Sequence, residues 1–189
     1  MKKEGNVFIV SAPSGCGKTT IVNRILHDLR EIKRSVSATT RRPRAGEIAN
    51  EDYYFISEQA FKNKVQKGEF LEWAKNFGYY YGTIKKNVMD CIKSGKDIIL
   101  TIDVKGAAQA KKKMPESVLV FISPPSFDDL AKRLRKRATD KQKEVKERLK
   151  VAKKEMTQAK KYDYIIVNDS LKCAVDKLRS VIIAKRCEI

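Results

Sequence analysis

Four short apolar runs along the chain have the composition of strands buried on both faces. β-Branched and aromatic residues follow one another in them without polar alternation, which is typical of parallel sheets covered by helices. The runs lie at residues 6–11, 97–103, 118–122 and 164–167. Helical patterns separate them. Strands that alternate with helices predict an α/β fold with a parallel sheet, whose functional residues lie at the carboxyl ends of the strands.

The first run leads into an amphipathic helix predicted over residues 18–30. Its apolar residues follow the i, i+3, i+4, i+7 spacing of one buried stripe. The segment directly after the run, whose last three residues open the helix, is Ala12, Pro13, Ser14, Gly15, Cys16, Gly17, Lys18, Thr19 and Thr20. It is close to the P-loop pattern GxxxxGK[ST], with Ala12 in place of the first glycine. A turn without a ligand would fit these letters, but the flanking strand and helix favour a nucleoside triphosphate site.

The residue types in this segment, the phosphate loop, suit that chemistry. Glycines let backbone N–H groups converge on phosphate oxygens, and the helix N-terminus adds partial positive charge. We expect Lys18 to reach the β- and γ-phosphates of ATP, and the Thr19 hydroxyl to ligate the Mg²⁺ that bridges them.

Residues 35–83 differ from the alternating pattern. They contain short segments such as 52–56 and a loop with Pro43 and Gly46, which predict a lobe inserted into the core. Three arginines, Arg41, Arg42 and Arg44, surround the proline turn. They suit bidentate contact with a phosphate monoester, although a solvated or nucleic-acid-binding patch would have the same composition.

Residues 128–161 are helical in pattern and dense in charge. Their apolar residues, Leu130, Leu134, Leu149 and Val151, are too sparse to anchor the segment deeply. The pattern favours a mobile arm, with an ordinary pair of solvated helices as the alternative.

Composition limits the chemistry further. Lys and Arg total 41 against 23 Asp and Glu, a net charge of +18, so the partners should be anionic. His27 is the only histidine, which excludes Ser/His/Asp and Cys/His hydrolases. It falls within a helical pattern, and we expect a surface or boundary residue. The four cysteines form no CxxC pair and have no histidine cluster nearby, which argues against a zinc site and against a disulfide framework. Apolar runs are too short to cross a bilayer, and we expect a cytoplasmic protein.

The motif SxSxTTRxPRxGE lies at residues 35–47, and EDYYF, GEFLEW and YYGT follow it along the chain. In these motifs and their order, the sequence resembles the guanylate kinase family of P-loop nucleoside monophosphate kinases. Beyond the lobe the resemblance extends through residues 102–106, 122–126, 133–139 and 166–169. It thus covers nearly the whole chain.

The resemblance implies a P-loop NTPase-type parallel sheet core with helices on both faces, an inserted GMP-binding lobe and a helical lid. The core would comprise residues 1–34, 84–126 and 159–189, the lobe 35–83 and the lid 127–158. The implied reaction is phosphorylation of GMP by ATP with Mg²⁺, giving GDP and ADP. Use of dGMP and oligomeric state stay open.

The resemblance also implies roles for single residues. Phosphate contacts to GMP fall to Arg41, Arg44, Tyr53 and Tyr81, base contacts to Ser37, Glu72 and Thr83, and a place near GMP to Asp103. The ATP site comprises residues 12–20 with Arg133 and Asn168, and the catalytic set is Lys18, Arg41, Arg137 and Arg148. Many family members have Asp where this chain has Thr101, so Thr101 receives no role. Many have Gly where this chain has Ala138, so the geometry of the lid hinge at that position stays open.

The implied role of Glu72 agrees with elementary chemistry. Guanine presents N1–H and an exocyclic amino group side by side, and one carboxylate accepts from both, whereas adenine lacks this donor pair. Without the resemblance, Glu72 would be interpreted as an ordinary surface glutamate.

Two other classes of function remain as alternatives. A guanylate-kinase-like binding module would keep the fold without catalysis, but the intact phosphate loop and the arginines of the lid argue against it. A nucleic-acid-binding protein would explain the charge, but no motif for such binding is visible.

Overall fold

The computed structural model describes residues 3–76, 78–136 and 142–188. The strands are β1 (Val7–Ser11), β2 (Ile32–Arg34), β3 (Ser37–Thr39), β4 (Tyr53–Phe55), β5 (Phe70–Asn76), β6 (Tyr79–Ile84), β7 (Asp97–Thr101), β8 (Val118–Ser123) and β9 (Tyr164–Val167). The helices are α1 (Lys18–Asp28), α2 (Glu58–Gln66), α3 (Lys85–Lys93), α4 (Val104–Lys113), α5 (Phe127–Lys136), α6 (Gln142–Met156) and α7 (Leu171–Arg186), with a 3₁₀ turn at Ala159–Lys161.

Five strands form a parallel sheet in the order β2-β7-β1-β8-β9. β1 is central and pairs with β7 on one side and β8 on the other, so its carboxyl end is flanked by two further strand ends. All four apolar runs of the sequence lie in this sheet, and the predicted α/β fold is confirmed.

Alternation along β1 shows why these runs lack polar residues. Phe8 and Val10 belong to a core cluster shared with α1 and α7, whereas Val7 and Ile9 belong to a second cluster shared with α3 and α4. Successive side chains of a strand point to opposite faces. Helices therefore cover both faces of the sheet, as predicted.

A second sheet lies within residues 37–84 and has the order β4-β3-β6-β5. β5 and β6 form an antiparallel hairpin, β3 pairs antiparallel with β6, and β4 pairs parallel with β3. Its own small core combines Ala38, Phe61 and Phe70, and the rings of Phe61 and Phe70 stack with centroids 4.4 Å apart.

The expectation that the charged segment is not anchored deeply was wrong. Leu130 and Leu134 have no exposed surface and join the main core cluster, and only Val151 is largely exposed. The two leucines are four residues apart and therefore share one face of α5. That face covers the phosphate loop: a Cβ added at Gly15 would lie 2.9 Å from a Leu134 methyl carbon.

Two further expectations can be compared with the fold. His27 is on the surface, with its side chain 78% exposed, and all four cysteines are free thiols. Within the described residues, no helix has both the length and the apolar character needed to cross a membrane.

Candidate nucleotide-binding site

The phosphate loop joins the carboxyl end of β1 to α1. The Cys16 N–H donates to the Pro13 carbonyl at 3.2 Å, which closes a tight turn. Gly17 then has φ 84° and ψ 14° at the N-cap of α1. Only glycine adopts this left-handed backbone without strain. The N-cap residue makes no side-chain hydrogen bond to the first turn of α1, which is compatible with the phosphate site that the sequence predicts.

Lys18 is held beneath this loop. Its ammonium donates to the Ile102 carbonyl at 3.3 Å, at the end of β7. Burial lowers the pKa of Lys18, while the carboxylates of Glu155 and Asp103 act in the opposite direction. Lys18 is therefore a partly desolvated cation in the field of nearby carboxylates.

Cys16 is buried within this loop. The side chain is 1% exposed, and burial raises the pKa of its thiol to about 12. The thiolate is the nucleophilic form of cysteine, so Cys16 is an apolar packing residue at neutral pH.

Asn168 connects the phosphate loop to the neighbouring strand end. Its side-chain amide donates to the Cys16 carbonyl at 2.8 Å, and its backbone N–H donates to the Ser123 carbonyl at 2.8 Å. Arg133 donates in turn to the Asn168 carbonyl at 3.0 Å. The structure therefore brings both residues to the loop, and Asn168 fixes its backbone directly.

Four residues predicted to contact GMP form one row across the second sheet. In register they are Tyr53 on β4, Ser37 on β3, Thr83 on β6 and Glu72 on β5. Tyr81 lies two positions before Thr83 and therefore points to the same face. Its ring meets that of Tyr53 with centroids 6.0 Å apart. Residues far apart in sequence thus share one surface.

Arg41 is held at the end of this row by a carboxylate. Two nitrogens of its guanidinium donate to Glu47, at 2.8 and 3.0 Å, and this pairing raises the pKa of Arg41 and lowers that of Glu47. The guanidinium also lies 5.5 Å from the centre of the Tyr53 ring. The backbone N–H of Arg44 donates to Glu47 at 2.8 Å, while the Arg44 side chain is exposed. Glu47 therefore holds the Arg41 side chain and the Arg44 backbone.

Glu72 is a buried carboxylate at the other end of the row. It is 4% exposed, and its Oε1 accepts from the Thr83 hydroxyl at 2.6 Å. Burial raises the pKa of Glu72 to about 7, and the negative charge of Asp103 contributes to the rise. A buried acid whose pKa is strongly perturbed is a typical functional group.

Asp103 links the core to the lobe. Its Oδ1 accepts from the backbone N–H groups of Lys105 and Gly106, both at 2.8 Å, and so caps α4. Its Oδ2 accepts from the Asn76 side-chain amide, at the end of β5. Asp103 therefore connects the first turn of α4 to the end of β5.

The remaining predicted residues lie on the charged segment. Arg148 is half-buried on α6. Arg137 and Ala138 lie outside the described residues.

Sequence reasoning assigned no role to three side chains that the structure places here. Glu47 lies in the TTRxPRxGE motif six positions after its partner Arg41, and this short spacing is the signal for its role. Asn76 and Glu155 have no such signal, because the hydrogen bond of Asn76 to Asp103 and the effect of the Glu155 charge on Lys18 arise only through the tertiary fold.

Thr19 is the predicted metal ligand. It is exposed in the first turn of α1, next to Lys18. A hydroxyl is a suitable single protein ligand for Mg²⁺ when phosphates supply most of its coordination. Within the described ranges, no group of three or more His, Cys, Asp or Glu side chains is placed to hold a metal ion. The exposed hydroxyl therefore fits an ion carried by the triphosphate.

The fold and the phosphate loop define the class of protein: a P-loop nucleotide-binding protein with a parallel core sheet. The sequence model of the guanylate kinase family matches residues 4–185. The chain is 43% identical over 189 residues to a guanylate kinase of Caldanaerobacter subterraneus subsp. tengcongensis, covering 100% of this chain and 92% of that protein. It is 46% identical over 187 residues to a guanylate kinase of Geobacter metallireducens, covering 99% and 92%. The chain belongs to the guanylate kinase family.

Solved structures agree. A crystal structure of guanylate kinase from Anaplasma phagocytophilum has a TM-score of 0.83 at 34% identity, covering 99% of this chain and 89% of the other. A shikimate kinase from Bacteroides thetaiotaomicron has a TM-score of 0.50 at 16% identity, covering 94% and 98%. The second likeness supports the fold alone.

Proposed function

We propose that this chain transfers the γ-phosphoryl group of ATP to GMP, giving ADP and GDP. The phosphate loop binds ATP, the lobe of residues 35–83 binds GMP, and residues 127–158 form a lid over both. The observation that carries the proposal is the buried Glu72 carboxylate, which accepts from Thr83 on the second sheet of a chain that belongs to the guanylate kinase family.

Phosphoryl transfer requires alignment of two phosphates and positive charge at the transferred group, with little covalent help from protein. Lys18 supplies charge from the phosphate loop, and Arg41 with Arg44 holds the acceptor phosphate. Arg137 and Arg148 supply further charge from the lid. The phosphate of GMP is itself the nucleophile, so the mechanism needs no general base.

In this proposal, the selection of guanine over other nucleobases depends on Glu72. Its carboxylate accepts from guanine N1–H and from the exocyclic amino group, while Ser37 and Thr83 complete the base contacts. Two donors facing the buried carboxylate favour its ionised form. A base without this donor pair would leave the carboxylate unpaired, so adenine is rejected strongly.

Mg²⁺ completes the donor site in this proposal, with Thr19 as its protein ligand. When bound, it neutralises charge between the β- and γ-phosphates. We place the reaction in the cytoplasm, where the four free cysteines would stay reduced.

A panel of acceptors tests the reaction and the base together. ADP release is measured with ATP and Mg²⁺ and with GMP, dGMP, AMP, CMP or UMP. We expect rapid release with GMP and background release with AMP, CMP and UMP, while dGMP measures tolerance of the sugar. Binding of GMP without turnover would favour a binding module. Salt-sensitive retention of RNA that neither ATP nor GMP displaces would favour a nucleic-acid-binding protein.

Replacing Lys18 with Ala should separate the two sites. We expect loss of at least about 10³-fold in kcat, because a charge aimed at the transferred phosphoryl group is removed. The dissociation constant for GMP, measured by calorimetry, should change by less than about threefold. Lys86→Ala, at an exposed residue of α3, is the matched control. Loss of GMP binding in the Lys18 variant would contradict the separation of donor and acceptor sites.

A further inference from the structure

Gly106 occupies a helical position where its backbone does not require glycine. It lies in the first turn of α4, and its φ angle is not positive. Alanine at such a position favours the helix by about 1 kcal/mol over glycine. The surroundings of Gly106 show what a larger residue would meet there.

A larger residue would meet Glu72. A Cβ added at Gly106 would overlap the Oε2 atom of Glu72 and lie 3.1 Å from its Cδ, with the Ile102 Cβ at 3.5 Å. The carboxylate of Glu72 thus lies directly against the backbone of α4. Gly106 is buried, so this contact is inside the protein.

Each partner of this contact is held by a hydrogen bond. The other carboxylate oxygen of Glu72 is held by the Thr83 hydroxyl at 2.6 Å. The Gly106 N–H donates to Asp103 at 2.8 Å, which fixes the first turn of α4. A methyl group at residue 106 would therefore have to displace the Glu72 carboxylate.

We propose that Gly106 is a specificity-determining positioning residue, which leaves the space that sets where the Glu72 carboxylate meets guanine. This inference rests on the proposed function. Glu72 lies on the lobe and Gly106 on the core, so the contact also fixes the lobe against α4 where the base is read. A shift of the carboxylate would misalign both acceptor oxygens with N1–H and the amino group of guanine.

Gly106→Ala tests the inference through steady-state kinetics with each substrate varied in turn. We expect KM for GMP to rise by about tenfold or more, because small misplacements of binding groups have large effects, while KM for ATP changes by less than about twofold. IMP retains N1–H and lacks the amino group. The ratio of kcat/KM for GMP to that for IMP should fall by about fivefold or more.

A matched variant adds one heavy atom elsewhere on the same helix: Ala108→Ser, at an exposed residue of α4. It should leave both KM values and the GMP to IMP ratio unchanged. Melting temperatures of both variants, with far-UV circular dichroism, identify a loss of folding.

A double variant distinguishes displacement of Glu72 from general damage. Glu72→Asp shortens the side chain by one methylene and leaves room for a Cβ at residue 106. If Gly106 acts through Glu72, adding Gly106→Ala to Glu72→Asp should raise KM for GMP by less than about threefold, well below its effect in the wild type. Equal effects in both backgrounds, or equal rises in KM for ATP and GMP, would overturn the inference. A wild-type chain without GMP phosphorylation would instead refute the proposed function.

Discussion

Replacing Glu72 with Gln should stabilise the folded chain at high pH and impair its use of GMP. In the folded chain, burial raises the pKa of this carboxyl from its ordinary value of 4.5 to about 7. The folded state therefore favours the protonated form more strongly than the unfolded state does. A neutral amide of similar shape removes this difference and keeps an oxygen that accepts from the Thr83 hydroxyl.

The magnitude follows from the two pKa values. Well below pH 4.5 the carboxyl is protonated in both states, and its ionisation does not affect the free energy of unfolding. Above pH 7 it is ionised in both states, and the difference between 4.5 and about 7 lowers the free energy of unfolding by about 3 kcal/mol. Stability contributed by this group is thus present at low pH and is lost as pH rises towards 7.

Urea unfolding of wild type and variant, at intervals between pH 5 and pH 8.5, measures the effect. The advantage of Glu72→Gln should grow by about 2.5 kcal/mol over this range, while other titrating groups cancel in the difference. Glu58→Gln is the control. Lys62 holds the pKa of Glu58 below its usual value at the surface, so this variant should lose slight stability as pH rises.

A constant difference in the free energy of unfolding between Glu72→Gln and wild type across the range would refute the reasoning. It would mean that the carboxyl has the same pKa in both states, and thus that its burial in the folded chain is relieved by water. In parallel, kcat/KM for GMP should fall by about 10²-fold in the variant. Unchanged activity with GMP would remove Glu72 from the base site.

Two further variants test the contacts on either side of the site. Glu47→Gln removes the charged partner of Arg41, so KM for GMP should rise by about tenfold with little change in KM for ATP. Glu58→Gln serves again as the surface control. An unchanged KM for GMP in the Glu47 variant would show that Arg41 needs no ordering by Glu47. Asn168→Ala leaves the Cys16 carbonyl without its donor, so KM for ATP should rise and chemical unfolding should show a loss of about 1–3 kcal/mol. Equal rises in KM for both substrates of the Asn168 variant would contradict a role confined to the phosphate loop.

Much of the core could be predicted from the sequence, because its signals are local. A strand buried on both faces requires a continuous apolar run, and a phosphate loop requires glycines at fixed spacing before a helix. The resemblance to guanylate kinases added the residues of the lobe, and the register of the second sheet places Ser37, Tyr53, Glu72 and Thr83 side by side. Their roles in binding GMP stay predictions.

What the sequence could not provide depends on contacts between distant elements. The apolar density of the charged segment is low, yet Leu130 and Leu134 are fully buried because both face the phosphate loop. The average apolar content of a segment does not show that two of its leucines share one buried helix face. Likewise, Asn76 has no local feature that points to Asp103, 27 positions away.

The order of strands in the core sheet bears on how the chain folds. β1 is made first, but its register partners come much later: Val7 pairs with Ile98 and Phe8 with Val118. By contrast, Asn76 pairs with Tyr79 within one hairpin. Closing long loops is entropically costly and slow. We therefore expect the hairpin that carries Glu72 to form before the core sheet closes. A chain that stops before β8 would lack the strand that flanks one side of β1, so the turn after β1 would be supported on one side only.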